Sequence, residues 1–214
     1  ATLTPDRIAA TAVSIADAEG LDAVTMRRLA ADLGVAPMAA YRYVSGKDEL
    51  LELMVDHVYG EIPPPEEPHE GWRAGIRLLA LRARDVLLRH PWAVRTATVI
   101  LTPNQLAVVE NALAALDRLD ADAMMTVWRT VDAYTRGAVG QEIALGELMR
   151  EQGWATPHEA RDGLAPRMAW LLDTGRYPTY ARYIREATRK DDLAGQFETG
   201  LDAVLDGIAA RLGI

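Results

Sequence analysis

The stretch that decides the fold spans residues 25–47 and reads TMRRLAADLGVAPMAAYRYVSGK. Thr25 is a good helix N-cap, and the apolar residues that follow it recur at helical spacing. Gly34 stands where a helix stop favours a residue that tolerates positive φ. Pro37 stands in the first turn of a second helix, where its missing N–H costs nothing. The pattern predicts two helices joined by a tight turn, with the second ending near Val44.

The same stretch is basic although the chain as a whole is acidic. It carries Arg27, Arg28, Arg42 and Lys47 against the single acid Asp32, a local charge of +3 in a chain of net charge −8. A local basic surface of this kind is what binding to DNA phosphates requires. Pattern and charge together favour a helix-turn-helix whose second helix enters the DNA major groove. An ordinary helical hairpin with a solvated charged face is the alternative.

The flanking residues extend the pattern into a resemblance to a known family. Residues 8–55 resemble the N-terminal domain of the TetR family of bacterial transcriptional repressors, and residues 70–145 resemble the C-terminal class of its tetracycline repressor subfamily. The first resemblance rests on Gly20, Val24-Thr25-Met26-Arg27, Leu29-Ala30, Leu33-Gly34-Val35, Tyr41-Arg42-Tyr43-Val44 and Lys47-Asp48-Glu49-Leu50-Leu51. The second rests on Gly71-Trp72, His90-Pro91-Trp92 and Gly140-Gln141-Glu142.

Composition narrows the class of protein. Half of the 214 residues are hydrophobic, which excludes a disordered chain, and no apolar run approaches the roughly 20 residues of a membrane span. The chain has no cysteine, hence no disulfide or thiolate metal site, and its four histidines lack ligand spacing. We expect a cytoplasmic protein without signal peptide, membrane contact, metal or cofactor.

No strand pattern occurs, so the sequence predicts an all-α fold. Thr4 is expected to cap a first helix that ends near Glu19, and Ser45 to cap a fourth with Asp48 as its capping-box partner. Asp120 is expected to cap a long helix over about 121–151, and Thr156 marks another helix start. The other predicted elements are the second helix of the helix-turn-helix, a short helix from Trp92 to Ile100, and helices over 161–173 and 191–212. The expected domains are a helix-turn-helix domain (1–47), a connecting helix (48–62), a Pro-rich linker (63–70) and a helical effector-binding and dimerisation domain (71–214).

The resemblance assigns candidate DNA contacts within the helix-turn-helix. Apolar side chains of the second helix would press on base edges, Arg42 can reach guanine O6 and N7, and the remaining cations and hydroxyls would meet phosphates. For Tyr41, a core aromatic ring with a solvated hydroxyl is an equally good interpretation. For Arg28, a solvated surface side chain is a somewhat better interpretation than a DNA contact. The DNA-binding candidates are Thr25, Arg27, Arg28, Pro37, Met38, Ala39, Tyr41, Arg42, Tyr43 and Lys47.

The second domain carries candidate effector and dimer residues. All five tryptophans lie in it, and Trp128 shares one side of the long helix with polar residues, as a mostly apolar pocket with a few polar anchors requires. Most tryptophans are simply core, which is the alternative for each. The candidate ligand residues are Trp72, Trp92, Arg95, Trp128, Asp132, Thr135 and Trp170, with Arg136 as a further cation. The candidate dimer residues are Ala133, Gly137, Gly140, Ala144, Leu201, Leu205 and Ile208, and packing within the protomer is their alternative.

These expectations define a ligand-responsive repressor that binds a palindromic operator as a homodimer and leaves it when a small molecule binds. An activator of the same family is the first alternative. An all-helical small-molecule-binding enzyme is the second, although no Gly-x-Ser-x-Gly, His-Glu-x-x-His or Walker motif is present. A DNA-binding architectural protein is the third. Leu79 and Ala83 stand about where the tetracycline repressor carries drug-binding Asn and Phe, so tetracycline is not the expected effector.

Overall fold

The computed structural model describes residues 3–64, 71–96 and 101–214, and these residues form helices with no strand among them. Much of the predicted linker (65–70) and the end of the predicted helix after Trp92 (97–100) lie outside the described residues. The helices are α1 (Pro5–Glu19), α2 (Met26–Leu33), α3 (Pro37–Ala40), α4 (Lys47–Tyr59), α5 (Trp72–Arg89), α6 (Pro91–Arg95), α7 (Pro103–Ala114), α8 (Ala121–Gln152), α9 (Pro157–Leu172), α10 (Pro178–Glu186) and α11 (Leu193–Leu212).

Several helix starts follow from the capping residues that the sequence predicts. The side chains of Thr4, Thr25, Asp120 and Thr156 each accept a hydrogen bond from a backbone N–H in the first turn of their helix. These bonds satisfy donors that would otherwise lack a partner within the helix. The all-α fold class is therefore confirmed, and local chemistry accounts for where many of the helices begin.

The predicted cap of the fourth helix is wrong in detail. Gly46, not Ser45, occupies the N-cap position of α4, and it has no side chain to offer. Ser45 instead donates from its backbone N–H and its hydroxyl to Glu49, at 2.6 and 2.7 Å. The hydrogen bonds from Ser45 lower the pKa of the Glu49 carboxyl. The carboxylate of Glu49 thus binds Ser45 just before the helix, and Glu49 rather than Asp48 is the acid at this helix start.

Two hydrophobic clusters hold the helices together. The first joins α1, α2 and α4 to α5 and α6 through fully buried residues such as Ile8, Leu29 and Val55. The second joins α5, α7, α8 and α11 around Ile76 and Leu201. Because the first cluster runs from the helix-turn-helix into the second domain, the predicted domains share one core where they meet.

The helices α9 and α10 contribute little to either cluster. Ala160 is the one buried residue of α9, and α10 buries none among the residues that the structure describes. The sequence did not predict α10, which forms around Tyr177, Tyr180 and Tyr183. The helix α9 begins at Pro157, directly after the predicted cap Thr156, and so includes the residues before the expected helix at Arg161. These two helices therefore present most of their side chains to the surface of the protomer.

Candidate nucleic-acid interface and effector site

The helix-turn-helix is built as predicted up to the middle of its second helix. Gly34 adopts the left-handed conformation (φ 68°) and its N–H returns to the carbonyls of Ala30 and Ala31. The second helix, α3, begins at Pro37 but ends at Ala40, because residues 41–43 continue as a turn. The prediction that this helix extends to Val44 is thus wrong. Val44, the residue after this turn, is nevertheless buried in the hydrophobic core.

The side chains around α3 form one exposed surface, which we call the reading head. Met38 is 73% exposed, and Tyr41 and Tyr43 are 45% and 40% exposed. Tyr41 therefore does not reach inward as expected from the helical pattern, since the chain has left the helix by that position. The remaining reading-head residues are Thr25, Arg27, Pro37, Arg42 and Lys47, which are exposed, and Ala39, which is half-buried.

The two adjacent arginines of α2 have different surroundings. Arg28 lies 2.8 Å from Glu19 and 3.0 Å from Asp32, and the hydrogen bonds to these acids raise the pKa of its guanidinium. Arg27, Arg42 and Lys47 are exposed and form no ion pair within the described part of the chain. Of the four cations predicted to contact DNA, Arg28 is thus already engaged by acids of its own domain.

A polar cluster lies between α4, α7 and α8 in the second domain. Arg136 donates to Asp132, with 2.9 Å between Nε and Oδ2, and to the hydroxyl of Tyr59 at the end of α4. Burial alone would lower the pKa of Arg136, but Tyr59 and Asp132 raise it above its usual value. Burial raises the pKa of Tyr59, although Arg136 and Gln105 oppose this. A guanidinium is therefore held mostly inside the protein against one carboxylate and a neutral phenol.

Three of the predicted ligand residues lie on the side of α8 that bears Arg136. Asp132 is the partner of Arg136, Trp128 is half-buried against both hydrophobic clusters, and Thr135 is buried with its hydroxyl bonded to the carbonyl of Val131. Sequence reasoning missed Tyr59 and Gln105, since each is a lone polar residue on an otherwise ordinary helix. Their signal is spatial, because they come from α4 and α7 to meet α8.

The other predicted ligand residues do not converge on this cluster. Trp92 is buried and donates its indole N–H to Asp17 of α1 at 2.8 Å. Arg95 is largely exposed and lies 3.3 Å from Glu147. Trp72 lines a separate cleft of about 870 Å³ at the start of α5. Trp170 is 70% exposed on α9.

The predicted dimer residues divide between surface and core. Ala133, Gly137 and Ala144 are exposed on one side of α8, while Gly140 and Ile208 are half-buried. Leu201 and Leu205 are each 0% exposed within the single protomer, in the cluster with Ile76 and Leu79. These two leucines belong to the protomer core and present no surface to a partner. Their helix instead exposes small residues one turn apart, namely Ala203, Gly207 and Ala210.

Metal-binding and membrane-spanning features are absent from the described ranges 3–64, 71–96 and 101–214. No group of three or more His, Asp or Glu side chains there is placed to hold a metal ion. No helix there is long and apolar enough to cross a membrane.

Comparison with known proteins places both parts of the chain in one family. Residues 8–54 match the model described as bacterial regulatory proteins, tetR family, and residues 64–212 match the tetracyclin repressor-like C-terminal domain. The HTH-type transcriptional repressor DrrR1 of Streptomyces coeruleorubidus is 37% identical over 215 residues, which is 97% of this chain and 77% of that protein. An HTH-type transcriptional regulator of Saccharopolyspora erythraea is 31% identical, over 99% of this chain and 87% of that protein.

Solved structures agree with the sequence relatives. The TetR family protein ActR of Streptomyces coelicolor, in complex with actinorhodin, has a TM-score of 0.77 and 28% identity over 100% of both chains. The regulator SCO7222 of the same organism has a TM-score of 0.78 and 26% identity, over 98% of this chain and 99% of that one. The resemblance, the fold class and the interpretation as a DNA-binding regulator of transcription are confirmed. The chain belongs to the TetR family of bacterial regulatory proteins.

Proposed function

We propose that this protein is a ligand-responsive repressor that binds a palindromic operator as a homodimer and releases it when a small molecule binds the second domain. Among its relatives, DrrR1 is named a transcriptional repressor, and ActR was solved with actinorhodin and with (S)-DNPA. One observation carries the proposal. The exposed basic reading head shares a core with α4, and the second domain holds the last turns of α4 by polar contacts.

The reading head offers the chemistry for both parts of DNA recognition. Met38 and Pro37 present apolar surface suited to thymine methyl groups, and Arg42 presents a guanidinium suited to guanine O6 and N7. Phosphate contacts then fix the register of the protein on the duplex without reading sequence. We assign these contacts to Thr25, Arg27, Tyr41, Tyr43 and Lys47, and leave Arg28 out because Glu19 and Asp32 already engage it.

A homodimer would place two reading heads on successive turns of the operator, as a palindrome requires. The exposed small residues of α8 and α11 support this assembly, because small side chains let helix backbones approach closely. A groove of about 580 Å³ between these helices, lined by Ala133, Gly137 and Phe197, continues the same face. A Cβ added at Gly137 meets no atom of the protomer within 4 Å, so this position has open space before a partner arrives.

The polar cluster around Arg136 is the proposed effector site. The phenol of Tyr59 is a neutral acceptor with one oxygen, whereas a carboxylate carries the opposite charge and can accept from a guanidinium through two parallel hydrogen bonds. An effector bearing a carboxylate or an acidic phenol would therefore replace Tyr59 on Arg136. Trp128, Asp132 and Thr135 lie on the same side of α8 and supply apolar surface and further polar groups.

Effector binding at this position would act on α4 directly. Tyr59 is a polar attachment of α4 to the helices behind it. Another is Asp56, whose carboxylate accepts from the backbone and side-chain N–H groups of Asn104 at 2.7 and 3.1 Å. Loss of the Tyr59 contact frees the last turn of α4, which is continuous with the reading head through the shared core. A ligand shifts this equilibrium only as far as its affinities for the two arrangements differ.

Selection of duplexes from a random DNA pool by the purified protein tests the proposal. We expect a palindrome with half-sites about one helical turn apart. Gly137→Glu places a charge on the proposed dimer face without a clash in the protomer, so this variant should select single half-sites with lower affinity. Recovery of no common sequence by the wild-type protein would contradict the proposed function. Equal selection of a palindrome by Gly137→Glu would contradict the proposed dimer face alone.

A further inference from the structure

A second polar cluster joins the DNA-binding helices to the effector domain at a different place. We call it the interdomain cluster and define it by Asp17, Glu61, His90 and Trp92. The indole N–H of Trp92 donates to Oδ1 of Asp17 at 2.8 Å, and Nδ1 of His90 lies 2.9 Å from Oδ2 of the same carboxylate. The other ring nitrogen of His90, Nε2, lies 3.2 Å from Oε2 of Glu61.

The four residues come from three separate parts of the fold. Asp17 lies in the last turn of α1, within the DNA-binding domain, and Glu61 follows the end of α4. His90 ends α5, and Trp92 lies in the first turn of α6, next to the chain reversal at Pro91. His90 is 7% exposed and Trp92 is 4% exposed, so both rings are enclosed, whereas Asp17 and Glu61 lie at the surface edge of the cluster. It is thus a polar connection between α1 and the effector domain that does not pass through the interior of α4.

Both ring nitrogens of His90 have a carboxylate partner in this geometry. Ionised carboxylates only accept hydrogen bonds, and a neutral imidazole has only one N–H to donate. Because both ring nitrogens face carboxylate oxygens, both bonds form only when His90 is the imidazolium. The charged groups facing the ring are Asp17 from α1 and Glu61 from the end of α4, and Arg89 of α5 binds Glu61 at 2.7 Å. Burial would raise the pKa of Glu61, but the bonds from Arg89 and His90 lower it.

These bonds fix direction as well as distance. Asp17 receives two donors from two successive segments, the end of α5 and the start of α6, so a rotation of α1 against α6 misaligns both. The apolar contacts of the first hydrophobic cluster are not directional in this way. The interdomain cluster therefore selects one orientation of the reading head among those that the apolar packing permits.

We infer that Asp17 is a positioning residue that fixes the angle of the reading head against the effector domain, and with it the half-site spacing that the dimer accepts. The inference rests on the proposed function, since it concerns the same operator. It assigns to α1 and α6 a control over spacing that is separate from effector binding at Arg136.

The experiment compares variants on the selected operator and on duplexes whose half-site spacing is changed by one base pair. Asp17→Asn and Trp92→Phe each remove part of the cluster. Asp22→Asn is the control, because Asp22 is an exposed acid shortly after the end of α1 and outside the cluster. We expect the ratio of affinities for the correct and altered spacing to fall about fivefold or more in the two cluster variants. Asp22→Asn should keep the wild-type ratio.

The ratio of affinities separates positioning from simple loss of stability. A variant that only destabilises the fold lowers the affinity for both spacings equally, whereas loss of positioning changes their ratio. Thermal melting identifies any variant that unfolds at the assay temperature, and Trp92→Phe, which keeps an aromatic ring, then carries the test.

The outcomes distinguish this inference from the proposed function. If the wild-type protein selects no operator, the proposed function fails. If the wild-type protein selects an operator and discriminates its spacing, while both folded cluster variants discriminate equally well, the inference fails and the proposed function stands.

Discussion

The salt dependence of operator binding follows from which cations of the reading head are available. Arg27, Arg42 and Lys47 are exposed without an ion pair among the described residues, whereas Arg28 is engaged by Glu19 and Asp32. A cation that neutralises a DNA phosphate releases counterions and adds about 0.9 to the slope of log affinity against log salt concentration. Arg42 is assigned to a base, so Arg27 and Lys47 of each protomer are the cations that meet phosphates. A dimer then has about four such contacts, and the slope should be about −4.

Two neighbouring arginines of α2 supply the perturbation and its control. Arg27→Ala removes one available cation from each protomer, so the slope should become shallower by about 2. Arg28→Ala removes a cation that acids already neutralise, so the slope should change by less than about 0.5. The ion pairs that it breaks are exposed, and such pairs contribute little to stability. The two variants therefore remove the same residue type at adjacent positions, and we expect a clearly shallower slope for Arg27→Ala alone.

The measurement is fluorescence anisotropy of a labelled operator duplex, titrated with each protein at several salt concentrations between 50 and 200 mM. Affinity at a single salt concentration is insufficient, because it mixes the phosphate contribution with all the others. The reasoning would be refuted if Arg28→Ala reduced the slope as much as Arg27→Ala does. That result would mean that Arg28 leaves Glu19 and Asp32 for DNA.

Three further predictions concern sequence reading and stability. Arg42→Ala should lose about 1–3 kcal/mol of discrimination at one base pair per half-site, measured by competition with substituted duplexes, and an equal loss on non-specific DNA would contradict base contact. Gly200→Ala should lower the melting temperature, because a Cβ there would clash with the hydroxyl oxygen of Tyr134. Gly146→Ala in α8, where a Cβ meets nothing within 4 Å, should not. Leu201→Ala should reduce the free energy of unfolding by about 2–5 kcal/mol in urea titrations, and this loss should be the same at low and high protein concentration.

The features predictable from sequence are those set by neighbouring residues. A threonine or aspartate before an apolar run, and a glycine after one, mark helix ends because they satisfy or relieve the backbone locally. The short helix α3 shows the limit, since the pattern continues to Val44 but the helix stops at Ala40. A single turn of helix depends on what packs behind it, and that information lies elsewhere in the chain.

The features that sequence missed are pairings between distant residues. The spacing of Leu201 and Leu205 predicts a buried side of α11, yet it does not say whether α5 or a second protomer covers that side. Likewise Tyr59 and Arg136 stand 77 positions apart, and Asp17 and His90 73 positions apart. Polar residues at such separations reveal their role only when the fold brings them together.

These distant pairings also explain how a small change in the effector domain can reach DNA. The last turns of α4 are bonded to α7 through Asp56, to α8 through Tyr59, and just beyond the helix to α5 through Glu61. The first turn of α4 moves with the reading head, about 20 Å away along a helix of 13 residues. A rotation of about 5° at the bonded end therefore displaces the other end by about 1.7 Å, in each protomer of a dimer. Base contacts require hydrogen-bond distances defined to within a few tenths of an ångström, so this displacement is enough to break them on a rigid operator.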